Sequence, residues 1–313
     1  MVPILWKELR SRMRGPGAPV MVTGYLALMA AVPLGVLRFA EARGGLTVQS
    51  IGEITVLLYG VLTGLQMLLV AFITPALTAS AIAGERERQT LDLLLATGLP
   101  GWGILAGKLA AAMAYAVLLI VASVPIFSLV FAIGGVPYTV LLQVLVLQFV
   151  TALALGCAGL LISTLVRRSG VATAVAVGLT VLVFFGTLGI GALQQVRREV
   201  RVQQAVAVPA LPAGGPGAPV PAVAVQPPMV VEDTVHLPSA FYVSPLAALV
   251  AAVVPPSVGS PFGPVRIGMA RVPFWVVYTL NYVLLSVLLF GLGWAVLERR
   301  VPGAALRRRA PTD

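Results

Sequence analysis

Charge is the first thing this sequence lacks. Of 313 residues only 10% are Asp, Glu, Lys or Arg, against 59% hydrophobic. A water-soluble chain needs about 25% charged residues to cover its surface, so most of this surface must face something other than water. Cysteine and histidine occur once each, as Cys157 and His236. A single cysteine forms no internal disulfide, and a zinc site built around one His and one Cys would need unusual ligands. No His-Glu-x-x-His, Cys-x-x-Cys or Ser-His-Asp set is visible, so no catalytic, cofactor-binding or metal residue is assigned. A nucleotide-phosphate loop is missing too. In the nearest approach, Gly101 to Leu109 (GWGILAGKL), the spacing is off by one and Leu109 stands where a Ser or Thr must reach Mg²⁺. The chain reads as a non-enzyme with no cofactor of its own.

What is abundant is uninterrupted apolar sequence. Gly15–Leu37, Ile54–Gly84, Ser169–Val196 and Val272–Leu297 are runs of 23, 31, 28 and 26 residues without Lys, Arg, Asp or Glu. Leu109–Val166 is a run of 58, interrupted near its middle by Gly134, Gly135 and Pro137. A bilayer core requires roughly 20 apolar residues per helix, so the four single runs each hold one span and the long run holds two around a turn. The expected fold class is an all-α membrane protein with six spans, at about 19–37, 56–80, 104–131, 138–165, 171–193 and 273–297. Gly15–Leu37 is too long for the apolar region of a cleaved signal peptide, so it is read as a retained first span. Ala240–Val254 is apolar but short and contains Ser244 and Pro245, which suits a re-entrant or interfacial piece better than a seventh span.

The net charge of +10 does not require a nucleic acid, because the basic residues lie at the ends of the spans. Of the 21 Lys and Arg, 14 fall on the side holding both termini and the second and fourth loops. Five of the remaining seven lie in one long loop, where the positive-inside rule is weak. Both termini are therefore expected in the cytoplasm of a multi-pass protein of the cell membrane.

Residues 2–14 read as an amphipathic helix resting in the lipid headgroups. Leu5, Leu9 and Met13 recur at i+4 with Trp6 beside them, while Lys7 and Arg10 lie on another face. In the second span, Gly60-x-x-x-Gly64 is a spacing that permits close helix approach. The connection 194–271 is Pro/Ala/Val-rich in its middle and reads as an extended extracytoplasmic tether.

The stretch GERERQTLDLLLATGLP, Gly84 to Pro100, breaks the apolar pattern. Four charges side by side, Glu85, Arg86, Glu87 and Arg88, would together cost on the order of 10 kcal/mol at the membrane centre, so the segment belongs in the loop between spans two and three. It reads as a helix over 84–98. Acidic residues stand at its start, Leu91, Leu94 and Leu95 form an apolar stripe, and Gly98 and Pro100 end it. Along such a helix Arg88 can pair with Glu85 and with Asp92. About twenty residues are more than a turn requires, which points to a docking surface.

This motif, with Ile104-Leu-Ala-Gly-Lys108-Leu109 behind it, resembles the signature of ABC-2 type permeases, the membrane subunits of ATP-binding cassette exporters. The opening Pro3-x-x-x-Lys7-Glu8-Leu9-Arg10 and the Ser244-Pro245-Leu246 segment are similar to less specific features of that family. The resemblance implies that residues 84–98 form a coupling helix on a separate cytoplasmic ATPase subunit, which binds ATP and Mg²⁺. It places Glu85, Glu87 and Thr90 at the family's recurring polar positions and makes residues 2–14 the family's connecting helix. Six spans would be half a transporter, to be completed by a second copy or a related permease. An ion-driven carrier and a non-transporting scaffold are the alternatives. A carrier usually places Asp, Glu or His inside its spans, and the expected span interiors hold none.

Overall fold

The computed structural model describes residues 17–42, 48–96, 100–133, 137–194, 243–253, 265–267 and 270–300. The helix expected at 2–14, with Leu5, Trp6, Lys7, Leu9, Arg10 and Met13, lies outside the described residues, as does most of the connection 194–271. The helices are α1 (Gly17–Ala42), α2 (Val48–Glu87), α3 (Leu91–Ala96), α4 (Gly101–Ala122), α5 (Val124–Ile133), α6 (Tyr138–Leu165), α7 (Ser169–Val181), α8 (Pro245–Val253) and α9 (Phe274–Arg300). A π-helical turn, Leu182–Gly186, follows α7, and the same span continues to Gln194.

Among the described residues six helical segments are long and apolar enough to cross a membrane: Pro19–Val36, Ile54–Glu87, Gly101–Ala132, Tyr138–Leu165, Ser169–Gln194 and Phe274–Arg299. Helices are the natural solution because hydrocarbon offers the backbone no other hydrogen-bond partner. Proline sets where several begin. Pro100 and Pro137 are the extended residues just before α4 and α6, and the carbonyls of Pro100, Pro137 and Pro273 accept the first bonds of α4, α6 and α9. Within a helix interior proline removes a bond, and α1 and α2 each carry one, at Pro33 and Pro75.

The third span is not the continuous helix expected over 104–131. It breaks at Ser123 between α4 and α5, where Pro125 follows and cannot continue the ladder. The piece expected at 240–254 is α8, nine residues and so about 13 Å long, less than half the hydrocarbon thickness. Ser244 caps it through the Ala247 N–H, with Pro245 in the first turn. A two-stranded antiparallel hairpin, β1 (Val265–Ile267) with β2 (Ala270–Val272), pairs Arg266 with Arg271 and interrupts the otherwise helical fold just before α9.

α6 is the most buried of the six spans and packs against α2, α4, α7, α8 and α9. Small residues let α2 approach it. A Cβ on Gly159 would sit 2.2 Å from the Thr78 hydroxyl and 2.8 Å from the Pro75 carbonyl, so only glycine fits there. Gly60 and Gly64 face Val253 and Leu249 of α8, 3.5 and 3.7 Å from where their Cβ atoms would be, which is ordinary contact and does not require glycine.

Candidate functional site

The charged stretch does not form one helix from Glu85 onward. α2 runs through Glu87, the chain turns at Arg88–Thr90, and α3 begins at Leu91. Gln89 sits at φ 57°, in the left-handed region. The Thr90 N–H bonds the Glu85 carbonyl at 2.9 Å and the Gln89 N–H bonds the Arg86 carbonyl at 3.1 Å. These two reversed bonds are the Schellman ending of a helix, which usually places glycine where Gln89 stands. The ending corrects the expected helix over 84–98. Arg88 and Asp92 fall on different elements, and both are exposed.

A Schellman ending juxtaposes the side chains of Glu85 and Thr90, where an apolar contact is usual. Here the contact is polar: the Thr90 hydroxyl donates to Glu85 Oε2. The other oxygen, Oε1, takes a 3.2 Å ion pair from Lys108 Nζ of α4, a side chain only 4% exposed. Arg86 points to the fourth span. Its guanidinium donates to the carbonyls of Val166 (3.3 Å) and Thr164 (3.5 Å), at the end of α6 where carbonyls lack helical partners. Glu87 accepts bonds from the Ser169 hydroxyl and from the Ser169 N–H (2.9 Å) at the start of α7. An anion there complements the positive end of the helix dipole. Glu87 lies beyond the apolar run that ends at Gly84. The Ser169 hydroxyl, the Ser169 N–H and nearby Arg168 hold its carboxyl below the usual carboxylate range. The Ser163 hydroxyl adds a further tie by accepting the Ile82 and Ala83 N–H groups at 2.8 and 3.0 Å.

Three consecutive residues thus tie the end of span two to spans three, four and five. The ties border a cleft of about 230 Å³ lined by Glu85, Glu87, Arg88, Lys108 and Ser169. α3 lies against the same end. Leu91 and Leu94 pack on a cluster of Ile82, Ile104, Leu105, Leu160 and Leu297, while Asp92 and Leu93 face outward, Leu93 being 72% exposed. Trp102, 45% exposed, stands at the start of α4. The side chain of Leu95 is outside the described set. Sequence reasoning did not include Lys108, Ser163 or Ser169 in the site. Lys108 carried a signal, since an ionisable group inside an apolar span is expensive unless paired.

Over residues 2–296 the sequence matches the family described as ABC-2 family transporter protein. This chain belongs to the ABC-2 transporter family. The match covers most of its length, including all six candidate spans except the last few residues of the sixth. The ABC-2 chain is therefore a multi-pass membrane permease, the transport part of such a system. Among curated proteins none matches it. In this ABC-2 chain the motif's Glu85 and Arg86 turn inward to the bundle, Glu87 bonds Ser169 at the surface, and Arg88, Gln89, Asp92, Leu93 and Trp102 are exposed beside it.

Proposed function

We propose that this chain is one half of an ATP-driven exporter in the cell membrane, and that its charged end lies in the cytoplasm and receives a separate ATPase subunit. The observation that carries the reading is the division of labour at that end. A short helix presents Asp92 and Leu93 outward, while the segment before it, the end of span two, is bonded to three other spans at once. A partner that pushes on α3 pushes on α2, and through Lys108, Val166 and Ser169 on α4, α6 and α7. ATP and Mg²⁺ belong to the partner, which supplies hydrolysis. This chain's residues receive and distribute the motion. A second permease copy or a relative completes the transporter.

Two classes of variant test this reading. Asp92→Ala with Leu93→Ala removes the outward face, so the ATPase subunit should fail to co-purify while the permease stays in the membrane. Glu85→Gln leaves that face intact but weakens the tie to Lys108. Co-purification should persist, with less stimulation of ATP hydrolysis by the permease. If the outward-face variant binds and stimulates its partner normally, the reading is wrong.

A further inference from the structure

A 40-residue helix is about 60 Å long, twice the hydrocarbon thickness. A push on the charged end of α2 therefore travels only as far as the hydrogen-bond ladder of that helix is stiff. The ladder weakens just before the charged end. Pro75 has no N–H to give, and helices bend where such a bond is missing or where a side chain inserts. Two turns further on, a side chain does insert. Ser163 Oγ of α6 accepts the N–H groups of Ile82 at 2.8 Å and Ala83 at 3.0 Å. Each N–H has one hydrogen, so its regular bond, to the carbonyl of Thr78 or Ala79, is shared with the hydroxyl or given up. Hydroxyls of the helix itself crowd the same stretch. Thr74 bonds the Val70 carbonyl, Thr78 those of Thr74 and Pro75, and Ser80 that of Leu77. Such back-bonding also bends helices.

Two contacts with α6 frame the weakened stretch, and they differ in kind. At Pro75 and Thr78 the helices meet on Gly159, where not even a methyl group fits. One turn along α6, Ser163 meets Ile82 and Ala83 through a hydroxyl oxygen whose two lone pairs can take either amide. On the α7 side the contact is alanine on alanine, Ala79 and Ala83 against Ala172 and Ala176. An opened helical turn in hydrocarbon strands its amides at high cost. Ser163 supplies an acceptor from outside the helix and removes that cost.

We infer that Ser163 is a positioning residue for coupling: it makes residues 75–83 of α2 a hinge between the charged end and the rest of the span. The coupling role rests on the function proposed above, whereas the hinge itself is a property of this chain alone.

Ser163→Cys keeps the size and replaces the acceptor oxygen by sulfur, a weak acceptor. The two amides then return to their regular carbonyls and the turn stiffens. In the purified full chain, hydrogen–deuterium exchange over residues 79–87 should slow by about two- to tenfold, with an unchanged unfolding midpoint. With the ATPase subunit added, its affinity should be unchanged and stimulation of ATP hydrolysis should fall by about two- to tenfold. Ser163→Thr restores a hydroxyl and should recover both. A bond that only holds the helices together predicts the reverse, faster exchange with a lower midpoint, and that result overturns the proposal. Unaltered exchange overturns it too, as does undiminished stimulation of a partner that still binds. Slowed exchange in a chain that no ATPase subunit binds would refute the proposed function and uphold the hinge.

Discussion

Replacing Gly159 by alanine probes the contact between α2 and α6. The new Cβ would stand 2.2 Å from the Thr78 hydroxyl, 2.8 Å from the Pro75 carbonyl oxygen and 3.1 Å from the Pro75 Cα. The hydroxyl can rotate away, but it donates to the carbonyls of Thr74 and Pro75 at 3.2 Å, and losing that bond costs about 1 kcal/mol. The carbonyl cannot move without its helix, and it is 0.6 Å short of the 3.4 Å at which ordinary contact begins. Pushing a helix off its neighbour costs about 1–3 kcal/mol, and the better helix propensity of alanine returns up to about 1 kcal/mol. The expected net loss is about 2 kcal/mol. Gly178→Ala is the matched control, because nothing lies within 4 Å of its Cβ position. It should be neutral or slightly stabilising. The assay is built into the chain: Cys157 is the only cysteine and is buried on α6. Maleimide labelling during a temperature ramp in detergent reads the opening of this interface. Gly159→Ala should lower the labelling midpoint by several degrees, and coinciding midpoints for the two alanine variants would refute the packing account.

Further outcomes follow from the charged end. Lys108→Met should deprive the half-buried Glu85 carboxylate of its cation and destabilise by about 3 kcal/mol, whereas Lys108→Met with Glu85→Gln should cost less than the two single changes together. A double-mutant cycle on thermal unfolding measures this, and strict additivity would show that the 3.2 Å pair carries no energy. Gln89→Gly relieves a left-handed side-chain residue and should stabilise by about 1 kcal/mol, read as a higher unfolding midpoint.

The six spans were legible because hydrocarbon imposes a length and excludes charge, and both constraints appear directly in composition. Where the third span breaks was not read from the sequence: Pro125 stands beside the place, but an apolar run conceals an interruption of a single turn. The charged end was legible as a location and not as a geometry. Glu85 looks like a partner for Arg88, three residues away, and no local partner stands out for Arg86 or Glu87. Their actual partners, Lys108, Val166 and Ser169, are 23, 80 and 82 residues distant. No local spacing encodes such contacts. The glycines tell the same story. Gly60 and Gly64 stand at a recognisable spacing, whereas Gly156 and Gly159 do not, yet Gly159 is the one a methyl group cannot replace.

The ties at the end of α2 also impose an order on biosynthesis. When Glu85, Arg86 and Glu87 leave the ribosome, none of the groups from other spans that match them has emerged. Lys108 emerges first, and the carbonyls of Thr164 and Val166 and the amide of Ser169 come only after two more spans. Until then the nascent chain holds a long apolar helix whose polar tip is not yet tied to neighbouring spans. Its assembly waits on the arrival of the fifth span.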